Sequence, residues 1–146
     1  MAGTGERRRL DSGTLRVLGI DPGMSGAAAS LVVRPTVEVL DVYRMPLVAQ
    51  GAKKAIVDAR RLWAAAAKHD LAVIEQVSSR PGQGVASTFK FGMAYGAAIA
   101  SVLAAETPLV LVPPTRWKRH FGVASGDKED AIPKATLLVP SLAGWL

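Results

Sequence analysis

"LRVLGIDPGMSGAA" (Leu15–Ala28) decides how this chain is read. Six residues, Leu15 to Ile20, form a short apolar run of the kind that makes a buried strand, and the run stops at Asp21-Pro22-Gly23. Asp-Pro-Gly is common turn chemistry, because proline pre-sets its φ and glycine tolerates unusual backbone angles. Asp21 therefore has two readings: an acid that begins a turn, or a carboxylate held at the end of a buried strand to bind a metal ion. The turn alone does not separate them. A second carboxylate brought to the same place would.

Outward from this stretch, "AAASLVVR" (Ala27–Arg34) and "VEVLDVYRM" (Val37–Met45) are partly β-branched runs separated by Pro35-Thr36, which predicts a meander of three strands. Ala55 to Lys68, "AIVDARRLWAAAAK", places Ile56, Ala59, Leu62, Trp63 and Ala66 at helical spacing and predicts an amphipathic helix. "LAVIE" (Leu71–Glu75) predicts another buried strand, and "SSRPGQG" (Ser78–Gly84) a loop. From Ala86 to Glu106 the residues are small and apolar, with Gly92 and Gly96 four apart, a spacing that allows close helix packing. "LVLVP" (Leu109–Pro113) predicts a strand, and "PTRWKRHFG" a short helix with Pro114 in its first turn. In "SGDKEDAIPKATLLVP" (Ser125–Pro140), Asp127 and Asp130 have capping-box spacing, and Pro133 is tolerated only in the first turn of the helix that follows. Three strands followed by alternating helices and strands imply an α/β protein with a mixed sheet covered by helices.

The 146 residues fit one domain, with no internal repeat or linker, expected over residues 15–146 behind a basic arm at residues 1–14. A chain without cysteine excludes disulfides, thiolate zinc sites and cysteine nucleophiles, and fits a reducing, cytoplasmic location. "AYGAAIASVLAA" (Ala94–Ala105) is too short to span a bilayer, so no membrane association is expected. Eighteen Lys and Arg against twelve Asp and Glu give a net charge of +6, which favours a polyanionic partner, nucleic acid first. His69 and His120 are isolated and show no metal-ligand spacing.

The candidate second carboxylate is Glu75, at the end of "LAVIE". If its strand runs parallel beside Leu15–Ile20, both acids arrive at one sheet edge, about 4.8 Å apart in strand spacing. Ligands of open α/β sheets commonly bind outside the carboxyl ends of such strands. The plainer alternative is a Glu75 that pairs with Arg80 or reaches solvent.

Five blocks in order make the chain resemble the RuvC-type Holliday-junction resolvases of the ribonuclease H-like superfamily: "GIDPG" (Gly19–Gly23), "IEQV" (Ile74–Val77), "GQGVASTFKFGMAYG" (Gly82–Gly96), "VPPTRWK" (Val112–Lys118) and "DKEDAIPKATLLVP" (Asp127–Pro140). The resemblance covers about Leu15 to Pro140. It implies a ribonuclease H-like mixed sheet and a homodimer that binds four-way DNA junctions. It also implies symmetric cutting by metal-dependent phosphodiester hydrolysis with Mg²⁺ (or Mn²⁺). Carried over by motif, Asp21 and Glu75 match the first two acidic metal ligands, and Lys118 and Lys128 match basic catalytic positions near the scissile phosphate. Lys90 and Arg116, within the same blocks, join those two lysines as expected DNA contacts. For each lysine the alternative is a solvated surface residue.

Two features depart from the family pattern. Its two late carboxylates lie on a helix after the block that here ends at Pro140, and this chain continues only as "SLAGWL". The expectation is therefore a C-terminally truncated form of the domain. Many relatives also carry an aromatic wedge after "IEQV", where this chain has Ser78 and Ser79. Two functions stay open: a junction-resolving endonuclease impaired by the missing carboxylates, and a noncatalytic branched-DNA-binding protein of the same fold. An ATP-using actin-like or sugar-kinase-like domain is disfavoured, because such proteins need a second, similar domain to close over the nucleotide. No GxxxxGK[ST] loop is present either.

Overall fold

The Asp21-Pro22-Gly23 turn closes a β-hairpin. In the computed structural model, which describes residues 13–52, 54–78, 82, 84–123 and 131–145, strand β1 (Leu15–Asp21) pairs antiparallel with β2 (Ala27–Val33) from Leu15 opposite Val33 to Asp21 opposite Ala27. Strand β3 (Val37–Arg44) pairs antiparallel with β2 in turn, with a register shift at Ser30/Leu31. The expected three-strand meander is thus observed. Beyond it lie β6 (Leu71–Glu75) and β7 (Leu109–Val112), both parallel to β1, so that the sheet order is β3-β2-β1-β6-β7. This is the mixed α/β sheet that the pattern implied.

Between β3 and β6 the chain differs from the expected single helix. Leu47–Ala49 and Ala55–Val57 form a separate two-stranded ladder, β4 and β5, and the helix α1 starts only at Ala59 and ends at Ala66. The reason is Asp58. Its carboxylate accepts from the backbone N–H groups of Arg60 and Arg61, at 3.1 and 3.4 Å, and so serves as the N-cap. Ile56 falls at helical spacing but precedes the cap, and belongs to the strand.

Helix α2 (Val85–Ala104) packs against α1 and the sheet. Leu18, Ile20, Ala72 and Ile74 from the central strands meet Leu62, Ala66, Ala94, Ala98 and Val102 from the two helices, all buried. Each fully buried Leu, Ile or Val contributes about 1.5–3 kcal/mol, and small alanines let the helices lie close. The Ser101 hydroxyl within this contact donates to the carbonyls of Ala59 and Ala97, at 3.0 and 2.7 Å, so its burial leaves no unpaired oxygen. Gly92 and Gly96 take no part in this packing. A Cβ at either meets nothing within 4 Å, and both sit on the exposed face of α2.

After β7, Pro113 in an extended conformation leads into α3 (Pro114–Phe121), with Pro114 in its first turn as expected. Gly122, at φ 60°, ends α3 in the left-handed conformation that favours glycine. Helix α4 (Ala131–Leu138) carries Pro133 as its third residue, where no intrahelical N–H is needed. Lys134 of α4 donates to the Phe121 and Gly122 carbonyls and so ties α4 to the end of α3. A closing 3₁₀ turn, Pro140–Gly144, lies against β3, where the Ser141 hydroxyl accepts from the Val39 N–H at 3.1 Å. The Asp127 and Asp130 capping box and nearly all of the N-terminal arm lie outside the described residues.

Candidate functional site

The register of the parallel pair brings the two acids together. Ile20 stands opposite Ile74, both buried on the helix-covered side of the sheet, so the next residues, Asp21 and Glu75, are neighbours on the opposite side. Parallel strands run about 4.8 Å apart, so the two acids occupy adjacent positions at one edge of the sheet. Asp21 is exposed and Glu75 half-buried.

Asp21 is held by the tight loop after it. Pro22 is fully buried, and Gly26 donates its N–H to the Gly23 carbonyl at 3.1 Å while its own carbonyl accepts from Met45 at 2.9 Å. A Cβ at Gly26 would fall 2.1 Å from the Asp21 carbonyl oxygen, so only glycine lets the loop close this far. The ring of Phe91, from α2, covers the other side, 3.3 Å from where a Cβ on Gly23 would lie. The loop that looked like ordinary turn chemistry is therefore packed on both sides.

Glu75 is held from across the sheet. Val112, the last residue of β7, lies in register with it, and the ladder continues as Gln76 N–H to Val112 O at 2.8 Å. One turn into α3, the Trp117 indole N–H donates to Glu75 Oε1 at 3.2 Å. The Lys118 ammonium lies 5.6 Å from the centre of the same indole ring, within cation–π range. Arg116, Trp117, Arg119, His120 and Phe121 line a shallow pocket beside Val112, so the acid pair has a basic, aromatic helix as its neighbour.

Of the residues expected from the sequence, Asp21 and Glu75 stand side by side at the strand ends, and Lys118 lies by the Trp117 ring that contacts Glu75. Arg116 belongs to the α3 pocket. Lys90 is exposed on α2. Lys128, like the Arg80 considered as a partner for Glu75, lies outside the described residues. Trp117, Arg119 and His120 were not anticipated; the sequence signal was there in the basic-aromatic run "RWKRHF", but nothing local ties it to Glu75.

The donor set fits a hard divalent cation. Two carboxylates at one strand edge supply the oxygen ligands that Mg²⁺ and Mn²⁺ prefer, and Mg²⁺ is often bound by one or two carboxylates with water and phosphate completing its shell. Among the described residues no group of three or more His, Cys, Asp or Glu side chains gathers to hold a metal.

The sequence matches no protein-family model and no curated protein. The fold has clear counterparts among solved structures. Thermus thermophilus RuvC superposes with a TM-score of 0.60 at 19% identity, over 86% of this chain and 81% of that one. The same protein in complex with Holliday junction substrate gives 0.61 at 19% identity, over 86% and 78%. The yeast mitochondrial Holliday junction resolvase Ydc2 gives 0.51 at 13% identity, over 90% of this chain and 64% of that one. Strand order, the parallel central pair and these superpositions agree: the chain has the RuvC fold, a ribonuclease H-like mixed sheet flanked by helices.

Proposed function

We propose that this chain binds branched DNA, four-way junctions first, and that Asp21 and Glu75 form a Mg²⁺- or Mn²⁺-binding pair for phosphodiester hydrolysis. The observation that carries the reading is the meeting of the two acids across parallel strands of a RuvC fold, with basic α3 beside them. A bound divalent cation would activate water and stabilise the leaving oxygen of a phosphodiester. The chain's own part is to hold Asp21 rigid on its glycine loop, to fix Glu75 from α3, and to set positive charge alongside. Lys118, Arg116 and Arg119 are placed to contact backbone phosphates, which position DNA without reading its sequence. Lys128 and Lys90 complete the proposed set of DNA contacts, Lys128 with a catalytic role beside Lys118. One observation favours a second reading, junction binding without efficient cutting: the described site offers two carboxylates rather than a larger cluster.

The partner is proposed to include a second copy of this chain. A helix with a second apolar stripe beside its packed face seeks a second cover. α2 buries one face on α1 and the sheet, yet Val85, Phe89, Met93 and Leu103, with Gly92 and Gly96 between them, form a continuous exposed stripe on the other. Two such stripes facing each other across a two-fold axis would cover them both, and the glycines would let the helices approach closely.

The deciding experiment titrates Mn²⁺ into wild type and Asp21→Asn by calorimetry, alongside salt-dependent junction binding and a cleavage assay. The proposal expects Asp21→Asn to remove most ion binding, and junction affinity to exceed duplex affinity and fall as salt rises. Identical isotherms would end the metal reading, and equal, salt-insensitive binding of junction and duplex would end the DNA reading.

A further inference from the structure

Trp117 is oddly placed for a packing residue. No residue of α3 is fully buried, so the helix is not anchored by a core face, and the indole is half-exposed. Yet its N–H points at a carboxylate rather than at water or at a carbonyl. The contrast is Trp63, whose indole N–H donates to the Ala104 carbonyl at 3.3 Å, an ordinary tie between two helices. The route to Trp117 is rigid. Val112 is in register with Glu75, Pro113 and Pro114 turn the chain directly into α3, and the Pro113 carbonyl accepts from the N–H groups of Arg116 and Trp117 at 2.9 and 3.4 Å. The chain thus returns to Glu75 within one helical turn and can present little else there.

We infer that Trp117 is a positioning residue for the acid pair. The indole N–H engages Oε1 of Glu75, so Oε2 is the oxygen that would remain to meet a divalent cation held by the acid pair. A carboxylate on an unrestrained glutamate samples several rotamers, and a donor on one oxygen limits the directions in which the other is offered. The Lys118 ammonium lies 5.6 Å from the centre of the same ring, so one side chain contacts both the acid and a neighbouring cation. This inference rests on the reading of Asp21 and Glu75 as a metal pair, and adds to it a group from a different element.

The test separates the N–H from the bulk of the ring. Trp117→Phe keeps an aromatic ring and loses the donor. Trp117→His loses the outer ring but keeps a donor in the same place, because Nε2 of imidazole occupies the position of indole Nε1 in the five-membered ring. Mn²⁺ is titrated calorimetrically into the full chain as wild type, Asp21→Asn, Trp117→Phe and Trp117→His, each checked by thermal melting. Outer-shell partners of metal ligands typically govern affinity by about ten- to hundredfold, so Trp117→Phe should weaken binding by that factor and Trp117→His should recover most of it. If Asp21→Asn binds as wild type, the metal pair itself is refuted. If Asp21→Asn loses binding while Trp117→Phe does not, or if Phe and His weaken it equally, the positioning role alone is refuted. A measurement free of variants covers a Trp117 substitution that fails to fold. On adding Mg²⁺ to isotopically labelled wild type, the indole N–H resonance of Trp117 should shift while those of Trp63 and Trp145 stay in place. A Trp117 resonance that stays unmoved through saturation overturns the inference.

Discussion

Gly26→Ala is the sharpest perturbation of this site, because one methyl group tests both the loop and the acid it holds. Gly26 does not have a positive φ, so an alanine there meets no intrinsic backbone penalty, and the constraint is one of space alone. The new Cβ would lie 2.1 Å from the Asp21 carbonyl oxygen, and 3.0 Å from both the Asp21 carbonyl carbon and the Gly23 nitrogen. All three are backbone atoms, so no side chain can rotate away. The Asp21 carbonyl must retreat by about 0.9 Å even to reach 3.0 Å, the shortest contact that Cβ atoms ordinarily make. Overpacking of this kind costs about 1–3 kcal/mol, and in a domain of this length each kcal/mol lowers Tm by about 2–4 °C. Tm should therefore fall by roughly 2–12 °C. Ligand geometry tolerates about 0.5 Å, so the same displacement should also weaken Mn²⁺ binding, by a larger factor than the lost stability explains. The control is Gly19→Ala, within strand β1, which ends at Asp21. Its Cβ would meet only the Ala29 carbonyl at 3.9 Å, an ordinary contact, and it should be neutral or stabilising by about 0.5–1 kcal/mol. Thermal melts and Mn²⁺ titrations of both variants decide the matter. A Gly26→Ala protein that melts and binds Mn²⁺ like wild type would refute the claim that this loop sets the position of Asp21.

Two further outcomes follow from other parts of the molecule. The Arg60 guanidinium hydrogen-bonded to Asp58, helped by the Arg61 backbone N–H and opposed by partial burial, holds that carboxyl below the usual aspartate range. A depressed folded-state pKa stabilises fully above the unfolded value of about 3.9 and is lost as pH falls through the folded value. Wild type should therefore lose stability more steeply than Asp58→Asn on acidification below about pH 4, and parallel acid-melting curves would contradict this account of the α1 cap. On α2, Met93→Glu would set an unpaired carboxylate in the proposed dimer contact, at a cost of roughly 3 kcal/mol or more, about a hundredfold in dimer Kd. Sedimentation should show a wild-type dimer and a largely monomeric variant; a monomeric wild type would remove the proposed interface.

What was legible in the sequence was local. Apolar runs ending in turn residues marked β1, β6 and β7, and they placed Asp21 and Glu75 at strand ends, because a buried strand and its turn leave their signature within six or seven residues. The order of strands and helices then led to the mixed sheet, since a meander followed by alternating elements has few ways to cover its apolar faces. The β4–β5 ladder escaped because three-residue strands are too short for a period of two to be told from helical spacing, and Ile56 satisfied both. The cap at Asp58 decides that boundary, and its effect is visible only once its carboxylate is seen accepting from Arg60 and Arg61. The spacing of Gly92 and Gly96 allows close packing, but among the described residues a Cβ at either would touch no neighbour. Periodicity marks a helix face and does not say what covers it. The tie between Trp117 and Glu75 spans 42 positions in the chain and depends on β7 lying parallel beside β6 and on two prolines turning α3 back over the sheet edge. Such a contact has no local signature. The sequence determined which residues are candidates for the chemistry; the tertiary structure decided which of them meet, because strand pairing and helix entry bring distant residues within hydrogen-bond range.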